Sequence, residues 1–118
     1  MTVIYDKVAV IGMGLIGASI ALAARRGGLA TTIIGSDQSP EVATAVARLQ
    51  LVDSFEADAV HAVADADLVI LAVPVGAAGK IAEQIVPHMK SGALLTDTGS
   101  TKQSVVRDVA PHLRDDII

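Results

Sequence analysis

The sequence predicts an α/β domain: an open, doubly wound parallel sheet between two layers of helix, three layers (αβα) in all. Three observations carry that prediction. Strand and helix signals alternate along the chain, with no internal repeat, low-complexity segment or linker. The strand signals are short aliphatic runs, and Leu68-Val69-Ile70-Leu71-Ala72-Val73 is apolar at every position, as in a central parallel strand covered on both faces. The composition fits the same picture, because 52% of the 118 residues are hydrophobic while Tyr5 and Phe55 are the only aromatics. A chain of this length forms one domain and buries about two-thirds of its unfolded surface.

In chain order, the strand Val8-Ala9-Val10-Ile11 runs into Gly12-Met13-Gly14-Leu15-Ile16-Gly17, and a helix over residues 15–24 follows. Gly27-Gly28 ends that helix, and the next strand occupies residues 32–36. Ser39-Pro40-Glu41 opens a second helix, with Ser39 as N-cap and Pro40 at the first helical position. Val42, Ala45, Val46 and Leu49 share one of its faces, which is expected to rest on the sheet. A short edge strand near Ser54-Phe55 and a brief helix over 59–64 come next. The strand at 68–73 is stopped by Pro74, and an amphipathic helix runs from about Ala77, with Ile81, Ala82 and Ile85 in line, to near Pro87. Ala93-Leu94-Leu95-Thr96 reads as a strand, and the polar turn Asp97-Thr98-Gly99-Ser100 leads into a helix over 101–110 closed by Pro111. The final Ile117-Ile118 looks like the opening of another strand, which suggests a boundary imposed on a longer protein.

Right-handed β-α-β crossovers between these strands give a Rossmann-type sheet, in which ligands bind beyond the carboxyl ends of the strands. The three glycines give G-x-G-x-x-G, and each has its own work. Gly12 turns the chain off the strand, Gly14 lets a pyrophosphate approach the backbone, and Gly17 lets the helix lie close to the sheet. The amides of Met13, Gly14, Leu15 and Ile16 are expected to face the anion from the helix N-terminus. Three glycines in six positions also occur in ordinary turns, but here a strand precedes them and a helix follows. Asp37 ends the second strand, twenty residues past Gly17, where a carboxylate accepts ribose hydroxyls and repels a 2′-phosphate. Taken alone it reads as a surface residue of a loop. Gln38 and Ser39 follow it with no Arg or Lys to receive a phosphate, so NAD is the expected cofactor rather than NADP. The turns at Gly12 to Gly17, Asp37, Pro74 and Asp97 to Ser100 should gather on one edge, and only these four are expected to touch a dinucleotide.

The net charge of −4, without a basic stripe or aromatic platform, argues against a nucleic-acid partner. The chain has no cysteine, so no disulfide or thiolate chemistry is open to it, which fits a cytoplasmic location. No apolar run reaches the roughly 18 residues needed to span a bilayer, and the acid in the opening MTVIYDK is unlike a signal peptide. His61, His88 and His112 are isolated and lack metal-ligand spacing, so neither a metal nor a catalytic histidine is expected here.

Together, Gly12-Met13-Gly14-Leu15-Ile16-Gly17-Ala18-Ser19, the run Asp67 to Val75 and Asp97-Thr98-Gly99-Ser100-Thr101-Lys102 resemble the prephenate and arogenate (cyclohexadienyl) dehydrogenases of tyrosine biosynthesis. The resemblance covers essentially the whole chain, and the D-x-G-S-x-K turn is its more specific part. It implies oxidative decarboxylation of a small-molecule substrate, prephenate or arogenate, with hydride passing to NAD. It implies that Val73 and Pro74 lie against the nicotinamide half of the cofactor. Ser100 matches the serine that lies beside the nicotinamide and hydrogen-bonds the substrate hydroxyl and a catalytic histidine. That histidine belongs to an H-P-x-A-G motif that this sequence lacks, as it lacks the arginines that grip the substrate. The resemblance further implies a C-terminal helical domain, absent from this chain, through which the enzyme forms a homodimer. The chain is thus expected to be inactive by itself.

Plainer roles stand beside these. Ser100 with Gln103 is also a capping-box pattern, and one residue can both start the helix and face the cleft. Lys102 reads as a solvated residue at a helix start, and Asp97 as an acceptor that orients its turn rather than a general base. Two other functions share the fold: a free-standing NAD-binding sensor module, and the cofactor domain of a small hydroxyacid dehydrogenase.

Overall fold

The computed structural model describes residues 5–28, 30–50 and 52–97. The expected turn from Thr98 to Ser100, the helix over 101–110, Lys102, His112 and the strand at Ile117 lie outside them. Five parallel strands form one sheet in the order β3-β2-β1-β4-β5. They are β1 (Tyr5–Ile11), β2 (Ala30–Ser36), β3 (Ser54–Glu56), β4 (Leu68–Leu71) and β5 (Leu94–Asp97), alternating with α1 (Leu15–Gly27), α2 (Pro40–Leu49), α3 (Ala59–Val63) and α4 (Val75–Ile85). After α4 the 3₁₀ turn Val86–His88 leads toward β5. The chain winds outward from β1 through β2 to β3, then returns across β1 to β4 and β5. β1 is therefore the switch point, and the doubly wound order expected from the sequence is the one observed.

Register sets where the strands stop. Ile11 pairs with Ser36 on one side and with Leu71 on the other. Ser36 pairs with Glu56, and Leu71 with Asp97. All five strands thus end in one row, and each connecting turn leaves the sheet at the same level.

Side chains alternate between two buried faces. Ala9, Ile11, Ile34, Val69 and Leu71 point to the face under α3 and α4, against Ala62, Val63, Ala78, Ala82 and Ile85. Val8, Val10, Ile33, Leu68 and Ile70 point to the face under α1 and α2, against Ala21, Ala24 and Val46. Small alanines on the helices let them approach the sheet, while the branched side chains come from the strands, where they are stiff and pack well.

Some elements differ from the sequence reading. Ser39 caps α2 as expected, its hydroxyl accepting the Val42 N–H at 3.3 Å. The helix is rolled, however, so that Val46 is buried while Ala45 is exposed and Leu49 is 63% exposed. The buried line runs through Val46 with Val42 and Ala43 beside it, which carries Ala45 and Leu49 off the sheet. β4 ends at Leu71 rather than residue 73. The Ala72 N–H still donates to the Ile11 carbonyl at 2.7 Å, after which the chain turns out, and α4 begins at Val75, immediately after Pro74.

At the opposite, amino edge, Asp67 fastens three strands together. Its Oδ2 accepts the N–H groups of Asp6 and Lys7 at 2.9 and 3.0 Å, and its Oδ1 pairs with Lys90. Its own N–H donates to the Lys7 carbonyl and its carbonyl accepts from Leu94, both at 2.9 Å. Lys90 and the two backbone amides hold the Asp67 carboxyl below the ordinary aspartate range. A carboxyl depressed in this way stabilises the fold above its unfolded value, and that contribution is lost as pH falls through the folded one. Asp67→Asn is therefore expected to lower the melting temperature by a few degrees near neutral pH, with the gap to the parent protein closing as pH drops below about 4. Thermal unfolding of both proteins across that range checks this, and a gap independent of pH would contradict it.

Candidate functional site

A cleft of about 750 Å³ opens at the carboxyl edge of the sheet. Ile11, Gly12 and Gly14 from the end of β1, Ser36, Asp37 and Gln38 after β2, and Ala72, Val73 and Pro74 after β4 line it. Asp58 and its neighbours after β3 line it too, as does one face of α4. The expected convergence of turns is present for Gly12, Asp37 and Pro74. The turn after β3 and the α4 face line the same cleft beside the expected turns. On α4 the lining residues Ala77, Lys80, Ile81 and Gln84 fall at i, i+3, i+4 and i+7, a second stripe beside the core stripe of Ala78, Ala82 and Ile85. That spacing was visible in the sequence, but only the apolar stripe was read from it.

The three glycines separate by what surrounds them. Gly12 has φ of +95°, and a Cβ there would lie 2.5 Å from the Ala72 carbonyl oxygen. A Cβ on Gly17 would stand 1.9 Å from the Gly12 carbonyl oxygen, so α1 crosses the turn with no room for a side chain. Gly14 is different: its backbone is ordinary and extended, and a Cβ there would meet no protein atom within 4 Å. The first two glycines are required by the fold, whereas the space at Gly14 faces outward. Gly14 is also the N-cap of α1 and offers no side-chain cap. The Ala18 N–H closes on the Gly14 carbonyl at 2.9 Å, so by helix geometry the N–H groups of Leu15, Ile16 and Gly17 have no acceptor within the helix. That end carries the positive side of the helix dipole.

Met13 departs from its expected role. Its N–H donates to Asp37 Oδ2 at 2.9 Å rather than standing free for an anion. Its side chain is buried, with the sulfur 3.1 Å from where a Cβ on Gly35 would be. Asp37, half-buried, also accepts the Ser39 N–H on Oδ1 at 2.9 Å. Asp58 caps α3 by accepting the Val60 N–H at 2.9 Å. Ser100 lies outside the described residues. Asp97 ends β5 on the common edge. His61 and His88 are exposed, and among the described residues no cluster of His, Asp or Glu has the makings of a metal site. Nor is any helix among them long and apolar enough to cross a membrane.

The arrangement combines an open glycine-lined helix start suited to a diphosphate, a carboxylate beside it, and a slot with Ile11, Ala59, Ala77 and Ile81 among its walls suited to a flat ring. This is a Rossmann-type domain with its cleft at the topological switch point.

Comparison with known proteins narrows the class. The family described as prephenate dehydrogenase, nucleotide-binding domain, matches residues 20–118. The match begins after the glycine turn, so the turn adds to it independently. The cyclohexadienyl dehydrogenase of Zymomonas mobilis is 37% identical over 115 residues, which cover 98% of this chain and 39% of that protein. The prephenate dehydrogenase of Lactococcus lactis is 39% identical over 101 residues, covering 85% of this chain and 28% of that protein. The structure of A. aeolicus prephenate dehydrogenase in complex with hydroxyphenyl propionate and NAD+ is similar at a TM-score of 0.84 and 28% identity, covering 95% of this chain and 40% of that one. The chain belongs to the family of prephenate dehydrogenase nucleotide-binding domains. It spans less than half the length of the relatives it matches.

The contrast between the glycines is testable without any ligand. Gly17→Ala is expected to lower the melting temperature by about 4–12 °C, the cost of overpacking against fixed backbone. Gly14→Ala is expected to shift it by less, about 2–4 °C, the difference between glycine and alanine at an N-cap. Equal losses in the two variants would mean that the space at Gly14 is misjudged.

Proposed function

We propose that this chain is the NAD-binding domain of a prephenate or arogenate dehydrogenase, an enzyme of tyrosine biosynthesis that oxidises and decarboxylates its substrate. The observation that carries the proposal is the pairing, in one cleft of a chain of this family, of an open Cβ position at Gly14 with the carboxylate of Asp37. The residues fit the cofactor. The N–H groups of Leu15, Ile16 and Gly17 hold the pyrophosphate at the start of α1, with Gly14 giving it room to approach. Asp37 accepts the adenosine ribose hydroxyls and disfavours a 2′-phosphate. Val73 and Pro74 support the nicotinamide half. Bound NAD supplies a hydride acceptor. Ser100 sits beside the nicotinamide in this reading, its hydroxyl holding the hydroxyl of the substrate.

The sequence has no H-P-x-A-G motif. We therefore assign this chain cofactor binding and no turnover of its own. Residues 1–118 act as one domain, and the histidine, the substrate-gripping arginines and the helical dimerisation domain of a homodimeric enzyme belong to the remainder of such a protein. A cytoplasmic location suits this role.

Titration of NADH and NADPH into the chain, followed by nicotinamide fluorescence, is expected to show NADH binding at least about tenfold more tightly. Tighter binding of NADPH would overturn the assignment of Asp37. Gly14→Val is expected to weaken NADH by more than about tenfold, because its side chain fills the space where phosphate would lie, while lowering the melting temperature by only a few degrees, the cost of valine at the N-cap. Unchanged affinity would place the cradle elsewhere. No NADH is expected to form when the chain alone is mixed with NAD and either prephenate or arogenate.

A further inference from the structure

Among the described residues the Asp37 carboxylate has two partners, and only one of them is explained by local structure. The bond from the Ser39 N–H to Oδ1 is an ordinary Asx turn, two residues on. The bond from the Met13 N–H to Oδ2 spans 24 residues and ties the end of β2 to the middle of the glycine turn. Met13 is thereby held at both ends, its N–H by Asp37 and its side chain by the core around Gly35. The adjacent Gly12 N–H is fixed in turn by the Ser36 carbonyl at 2.7 Å. Glycines lose the most freedom on ordering, so a turn with glycine on both sides of Met13 needs such ties to keep one shape. An ionised carboxylate offers about four acceptor positions. Among the described residues two are taken, and Asp37 lines the cleft.

We infer that Asp37 is a positioning residue for the phosphate turn in addition to its ribose role: it holds the Met13 peptide so that Gly14 and the start of α1 face the cleft before any ligand binds. The ligand half of this inference rests on the dinucleotide reading above. Its consequence concerns specificity. The carboxylate that repels a 2′-phosphate also shapes the cradle that NAD and NADP would share, so removing it weakens the hold on the diphosphate of both.

The test separates the two roles with a pair of ligands of which one lacks the ribose hydroxyls. ADP and 2′,3′-dideoxy-ADP are titrated calorimetrically into the parent chain, Asp37→Ala and Asp37→Asn, the last keeping the size of the side chain should the alanine variant not fold. A carboxylate that served only the ribose would leave affinity for dideoxy-ADP unchanged in both variants, and that result overturns the inference. The expected result is a loss of about three- to tenfold for dideoxy-ADP, the effect of one hydrogen bond that orders the turn. In the ligand-free chain, amide hydrogen exchange at Met13 is expected to speed up about tenfold or more in Asp37→Ala, and by less in Asp37→Asn, whose single amide oxygen can accept from Met13 or from Ser39 but not from both, while exchange at Val10, in the centre of the sheet, is unchanged. Unchanged protection at Met13 likewise overturns it. If the parent chain binds neither nucleotide, the cofactor reading falls and the ligand half of the inference with it, whereas the exchange measurement still decides whether Asp37 orders the turn.

Discussion

The packing of α1 onto the turn that precedes it governs this domain. With no room for a side chain at Gly17, the helix axis comes down onto the Gly12 carbonyl, and the helix starts at the edge of the sheet. That placement would mean little if the turn were loose. It is laced on both sides: the Gly12 N–H is bound to the end of β2, and the Ile11 carbonyl accepts from Ala72 just past the end of β4. Because β1 is central and its last residue is level with the last residues of both neighbours, a single short turn touches the chain leaving both β2 and β4.

Much of this was legible in the sequence. The doubly wound parallel sheet followed from the alternation of elements and the handedness of crossovers, and the roles of Gly12 and Gly17 from their spacing alone. The Ser39 cap and the short β3 and α3 were read correctly despite their brevity. What escaped was of two kinds. Helix roll is decided by which neighbours fill the space, so a four-residue apolar stripe on α2 did not reveal that Leu49 would face solvent. Polar contacts between distant segments were equally hidden. Nothing local to Met13 says that its N–H is directed to Asp37, because that bond exists only once β1 and β2 are side by side.

Family membership and geometry inform different parts of the chain. The family match begins at residue 20, beyond the glycine turn, and the structural description ends at residue 97. Packing alone therefore accounts for the glycine turn, whereas Asp37, Val73 and Pro74 lie both within the matched residues and in the cleft.

The Asp67 junction has an implication for how such a domain can change. It sits at the amino edge of the strands, while the turns that line the cleft leave the carboxyl edge, so the length of the strands separates the clasp that joins β1, β4 and the start of β5 from those turns. Substitutions in the turns can accumulate with little penalty to the clasp, and tightening the clasp leaves the turns alone. A scaffold divided in this way can be handed from one chemistry to another, which gives a physical reason why one sheet topology serves so many different dehydrogenases.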